Sequence, residues 1–165
     1  MKRLIQIILC IVLFIIDTSI MPIFGIKGVY PSLLFVFVIL YSTINGYKDA
    51  VILGSISGIL QDIYFSHVFG INALVNLLLC VIAAYIGDKT LKNKASIPVL
   101  TVGGLTIVKF IAIFLICKML KINVELENIL IMVPYNFVVG ILMYSSVYGM
   151  ARKKLMKNQW NFSKK

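Results

Sequence analysis

Charge is scarce in this chain, and negative charge is scarcer still. Only 13% of the 165 residues are Asp, Glu, Lys or Arg, and six of them are acidic. Soluble domains carry about a quarter of their residues as charges, so an ordinary water-exposed surface is excluded. Histidine occurs once, at His67, and one histidine without clustered Cys, Asp or Glu is a poor metal site. The three cysteines, Cys10, Cys80 and Cys117, each lie inside an apolar run. Their spacing matches no metal or redox motif, and they read as small buried hydrophobes. A Gly-rich phosphate loop, an HExxH pair and a Ser/His/Asp set are all missing. The chain is therefore expected not to be an enzyme and to hold neither a cofactor nor a metal.

What is present is hydrophobic. Apolar residues make up 61% of the chain, and the mean hydropathy is +1.01. A soluble fold of this size could not bury so much apolar surface. Six apolar segments, approximately 4–20, 31–45, 49–64, 71–87, 97–117 and 129–149, approach the length that crosses a bilayer. The expected fold is an all-α integral membrane protein, a compact bundle of six transmembrane helices. Five crossings result if the second or third segment, separated only by Gly46-Tyr47-Lys48, is re-entrant. Residues 1–150 form a single transmembrane domain and 151–165 a basic tail. Met-Lys-Arg followed by an apolar run resembles a signal peptide, but no small-x-small cleavage site follows, so the first helix is expected to stay.

The net charge of +10 at first points to nucleic acid. The distribution of that charge points instead to membrane orientation. With the N-terminus inside, twelve Lys and Arg fall on the inner side and only Lys27, Lys118 and Lys121 on the outer side, with Lys109 in a span. The positive-inside rule then places both termini in the cytoplasm, and no nucleic-acid partner is expected. The tail sets Trp160 and Phe162 among basic residues, a composition suited to an anionic leaflet. His67, Glu125 and Glu127 fall in loops on the outer side.

Three charges lie at membrane depth. Counted from the inner end of each helix, Asp17, Asp62 and Lys109 all lie roughly 18–20 Å along at 1.5 Å per residue. A carboxylate at a helix centre costs about 2.5–3.5 kcal/mol or more, so such groups face inward and find partners. One lysine between two aspartates forms a candidate buried cluster that either locks helices one, three and five together or lines a pathway or ligand site. Asp17 has the further option of snorkelling to the outer interface. Gly46, Ala50, Gly54 and Gly58 recur every fourth position before Asp62. Residues four apart share a helix face, and a face of small side chains admits a neighbouring backbone. The third helix is therefore expected to be central, against a helix of this chain or of a partner. Gly70 permits the turn into the fourth helix. Asn72, Asn76 and Asn136, the last beyond Pro134, are candidate caps or cross-links.

Pro31-Ser-Leu-Leu, the Gly46 hairpin, Gly58-Ile-Leu-Gln-Asp62 and Gly70-Ile-Asn72-Ala-Leu74, in that order, resemble the MreD family of rod shape-determining proteins. In that family a Pro opens the second helix, here Pro31. A Gly-Leu-Leu-x-Asp-like stretch follows, here Gly58 with Asp62, and then Gly-x-x-Ala-Leu, here Gly70 with Ala73 and Leu74. The motifs cover about residues 28–88. Ile59 and Gln61 depart from the pattern, and Gln61 is unexpectedly polar. The resemblance implies a non-enzymatic, multi-pass component of the cell-elongation machinery in the bacterial plasma membrane. Its implied partners are an MreC-like bitopic scaffold and, indirectly, the MreB filament and the peptidoglycan synthases, with lipid around it. The alternative is the substrate-binding subunit of an energy-coupling-factor vitamin transporter, also a small six-helix protein. Its first helix usually carries small docking residues, and the run from Leu4 to Asp17 contains neither Ala nor Gly.

Overall fold

The computed structural model describes residues 2–25, 29–65, 69–90, 97–121 and 129–152. They form six α-helices and no strand: α1 (Lys2–Ser19), α2 (Leu33–Asn45), α3 (Tyr47–Phe65), α4 (Ile71–Thr90), α5 (Ile97–Met119) and α6 (Ile129–Arg152). A short 3-10 turn at Met21–Phe24 follows α1, and Pro22 inside that turn explains why α1 does not continue. Each apolar segment of the sequence became one helix. His67, Lys27, Lys92, Lys94, Glu125, Glu127 and the tail from 153 to 165 lie outside the described residues.

The third helix is not the centre; α2 is. Every residue from Leu34 to Thr43 is buried, and α2 alone packs against all five other helices. The chemistry of α2 permits this. Its run Leu33-Leu-Phe-Val-Phe-Val-Ile-Leu-Tyr41 is apolar all round, so it carries no face that needs water. At 13 residues it is roughly 20 Å long, shorter than the ~30 Å hydrocarbon core. By contrast, α3 contacts only α1, α2 and α4. The remaining helices surround α2 and turn apolar side chains outward, among them Ile8 and Ile15 of α1, Leu78 of α4, Ile111 of α5 and Leu142 of α6. Two of them, α4 and α5, are long and apolar enough to cross a membrane.

Hydroxyl groups inside these helices bond back to the preceding turn. Thr43 donates to the Ile39 carbonyl at 2.7 Å and Thr106 to the Val102 carbonyl at 2.7 Å, so neither hydroxyl is stranded in an apolar setting. At the opposite end from Asp17 and Asp62, Lys2 Nζ lies 2.6 Å from Asp49 Oδ2 and ties the start of α1 to the start of α3.

Gly46 needs a correction. It is the C-cap of α2 with φ +88°, and a Cβ built on it would meet nothing within 4 Å. Its role is the left-handed turn between α2 and α3, and it takes no part in the packing face. Gly54 and Gly58 do form that face, and it meets α4 of the same chain; Ala50, one turn earlier, is fully buried. A Cβ at Gly54 would lie 2.9 Å from Leu77 Cα, and one at Gly58 only 2.6 Å from the Asn72 carbonyl oxygen. The two helices touch backbone to backbone along this stripe.

Candidate functional site

Helices α2, α4 and α6 all begin at one end of the bundle, where α1 and α3 finish. A helix start leaves amide N–H groups without intrahelical acceptors, and in an apolar setting each must find one. Asp17 and Asp62 answer that need. Asp17, in the last turn of α1, accepts from Leu33 N at 2.8 Å, Leu34 N at 3.0 Å and Ser32 Oγ at 3.0 Å. Asp62, in the last turn of α3, accepts from Gly70 N at 3.0 Å, Asn72 N at 2.9 Å and Ala73 N at 2.9 Å. Each carboxylate thus sits on the positive end of a helix dipole, a favourable place for an anion.

The small-residue face delivers the second of these caps. Gly58 lets α3 rest on the backbone of Asn72 and Ala73. Asp62, one turn further along the same face, then reaches the amides of those same residues. Gly70, at φ +104°, folds the chain back so that its own N–H also points at Asp62. Pro31, buried just before the α2 cap, carries no N–H to satisfy.

Lys109 projects from the middle of α5. Its Nζ donates to Gln61 Oε1 at 2.8 Å and sits 4.2 Å from the centroid of the Phe35 ring, a cation–π contact strengthened by desolvation. Lys109 acts electrostatically on both Asp17 and Asp62. The hydrogen bond of Lys109 nevertheless goes to a neutral amide rather than to either carboxylate. Asp17 is 2% exposed, so it does not snorkel; the amides of α2 hold it inside.

Gln61 and Ser32 join these pieces, and sequence reasoning gave neither a role. Gln61 Oε1 also accepts from Asn76 Nδ2 at 2.9 Å, and its Nε2 donates to Ser32 Oγ at 3.1 Å. Ser32 Oγ donates to Asp17 and accepts from Gln61 and from Phe35 N at 3.3 Å, which uses its full capacity of one donor and two acceptors. Its backbone N–H donates to Asn136 Oδ1 of α6 at 3.0 Å. Asn76 Nδ2 lies 3.4 Å from Ser57 Oγ. The network therefore runs through all six helices, and Asn76 and Asn136 act as the expected cross-links. Ser32 could have been found, because a Ser directly before an apolar run is an N-cap signal. For Gln61 the only signal was its polarity within an apolar stretch. Nearby, Tyr135 Oη donates to the Phe24 carbonyl at 3.0 Å and ties the 3-10 turn to α6.

A cavity of about 270 Å³ opens beside this network. Asp17, Ser32, Gln61, Asn72 and Lys109 form its polar side. Tyr30, Phe110, Ile113 and Met132 contribute to the rest of its wall. Among the described residues no group of His, Cys, Asp or Glu is placed to hold a metal ion. Nothing here resembles a nucleophile with its base. The arrangement can bind and it can lock helices.

Neither a curated protein nor a solved structure matches the chain. A family model, described as rod shape-determining protein MreD, matches residues 1–154, from the first helix to just past the last. That match takes in both carboxylate caps, Gln61, Lys109 and the whole stripe from Ala50 to Gly58. The chain therefore belongs to the MreD family of rod shape-determining proteins, a family of membrane proteins.

Proposed function

We propose that this protein is a non-enzymatic component of the bacterial cell-elongation machinery. It lies in the plasma membrane as a six-helix bundle with both termini in the cytoplasm. There it holds the membrane-spanning part of an MreC-like scaffold. Through that scaffold it acts on the peptidoglycan synthases and, on the inner side, on the MreB filament. The observation that carries this reading is the family match over residues 1–154, which spans the whole bundle rather than one motif. The polar network supports it physically. A protein that must present a fixed surface to a partner inside lipid has little hydrophobic drive to hold its helices together, and relies on close packing and interhelical hydrogen bonds.

In this reading α2 is too short to cross with margin, and its complete burial lets the surrounding helices bridge the bilayer for it. The scaffold then meets the outward apolar faces and not the centre.

The test is complementation. The host is depleted of this protein and cell shape is scored by microscopy. Rounding that the wild-type chain reverses, together with recruitment of the scaffold to the lateral wall, is the expected result. Rods that keep their shape and growth rate through full depletion would refute the proposal. The transporter alternative predicts a different outcome, a growth defect cured by a vitamin with shape unaffected.

A further inference from the structure

The cavity at the polar network is lined by the Lys109 ammonium, whose donors are not all used within the bundle. The Lys109 ammonium has three N–H groups. Gln61 Oε1 accepts from it and the Phe35 ring faces its charge, with no further acceptor among the described residues. The nearby carboxylates do not make up the shortfall, because Asp17 and Asp62 direct their oxygens to the first amides of α2 and α4. The positive ends of those two helices also offset part of the two negative charges. What remains is a lysine, 7% exposed, on the wall of a cavity of about 270 Å³. At ~30 Å³ per water, the space holds a group of several heavy atoms. Phe110, Ile113 and Met132 supply apolar wall in the same cavity.

A group that fits accepts hydrogen bonds from Lys109 and carries negative charge against it. An ammonium offers a point charge with rotatable donors rather than a planar fork, and so suits a phosphate better than a bidentate carboxylate. We propose that this cavity binds a phosphate group, free or carried by a lipid headgroup, with Lys109 as its counter-charge and the apolar wall receiving whatever the phosphate is attached to. This goes beyond the shape-machinery reading and does not depend on it.

The experiment uses the purified full-length chain and reads its thermal midpoint. Inorganic phosphate is titrated against chloride at equal ionic strength. In parallel, the chain in dodecyl maltoside, which contains no phosphate, is titrated with phosphatidylglycerol. A saturable rise of about 2–4 °C is expected in at least one arm. The phosphate arm marks a free anion and the lipid arm a lipid headgroup. Two variants separate the site from general attraction to a basic protein. Lys109→Met removes the counter-charge at similar length. Met132→Trp fills the apolar side and leaves both the net charge and the polar network unchanged. Both should lose the rise, and if Lys109→Met does not fold, Met132→Trp decides. No rise in either arm with the wild-type chain, or a rise that persists in Met132→Trp, overturns the proposal. Neither result bears on complementation of cell shape, so the two readings fail separately.

Discussion

Asp62 carries a charge through an apolar bundle and spends it on three backbone amides. Removing such a cap costs about 0.5–2 kcal/mol in soluble helices, and leaving buried donors unsatisfied costs about 1–3 kcal/mol. Asp62→Asn should therefore destabilise the protein by about 1–3 kcal/mol. The Asn amide turns an N–H group toward N–H groups, and one acceptor is lost. Thermal unfolding in detergent reads this directly; an unchanged midpoint would mean that the cap contributes nothing. Gln61 and Lys109 belong to one network, so their losses should not add. In a double-mutant cycle of Gln61→Leu and Lys109→Met, the coupling should reach about 0.5–3 kcal/mol. At this scale the charged residues were legible in the sequence because charge is rare in it, and the depth count put them on one level. Their partners were not legible. Which amides a carboxylate meets depends on where a loop returns the chain, and Gln61 and Ser32 matter only because all six helices converge there.

Glycine has opposite effects in different elements. At Gly58 an added Cβ would lie 2.6 Å from the Asn72 carbonyl oxygen, and α3 and α4 would have to part. Overpacking of this kind costs about 1–3 kcal/mol, and at Gly58 it would also pull Asp62 away from α4. At Gly104 in α5 a Cβ meets nothing within 4 Å, so Ala should be neutral or stabilise by up to ~1 kcal/mol through helix propensity. Measured side by side, Gly58→Ala should lower the unfolding midpoint and Gly104→Ala should not; the reverse order would contradict the packing of α3 on α4. The four-residue spacing made this stripe visible beforehand. Gly46 was drawn into it because it fits the spacing, but α3 starts at Tyr47, so Gly46 lies outside the helix whose face it was assigned to. The central place of α2 was missed for a related reason. Its lack of a polar side was plain, yet a lipid-facing helix and a buried one look alike in composition when the solvent is lipid.

The whole molecule was the most legible level. Six apolar runs became six helices, and the motif order led to the family that the comparison then showed. The reason is that membrane helices must satisfy their own backbone bonds, which ties hydropathy to structure more tightly than in soluble folds. The orientation is open to labelling. Cys10, Cys80 and Cys117 are buried, so they form a quiet background for introduced thiols. Lys121→Cys should react with an impermeant maleimide in intact spheroplasts, whereas Lys164→Cys should react only after the membrane is broken. Labelling in the opposite sense would invert the topology, and equal labelling of both would remove one crossing.

Under the proposed function, the polar network locks the bundle so that a scaffold can dock on it. The most direct measurement is co-purification in mild detergent from the native membrane, with partners quantified by mass spectrometry for the wild-type chain and for Asp62→Asn at matched expression. An MreC-like scaffold and cell-wall synthases should be recovered with the wild-type chain. The scaffold should fall roughly tenfold with Asp62→Asn, the equivalent of about 1.4 kcal/mol. Equal recovery of the scaffold with both chains would contradict the link between the network and docking, and recovery of a pair of ATPases with a membrane coupling subunit in its place would contradict the function itself.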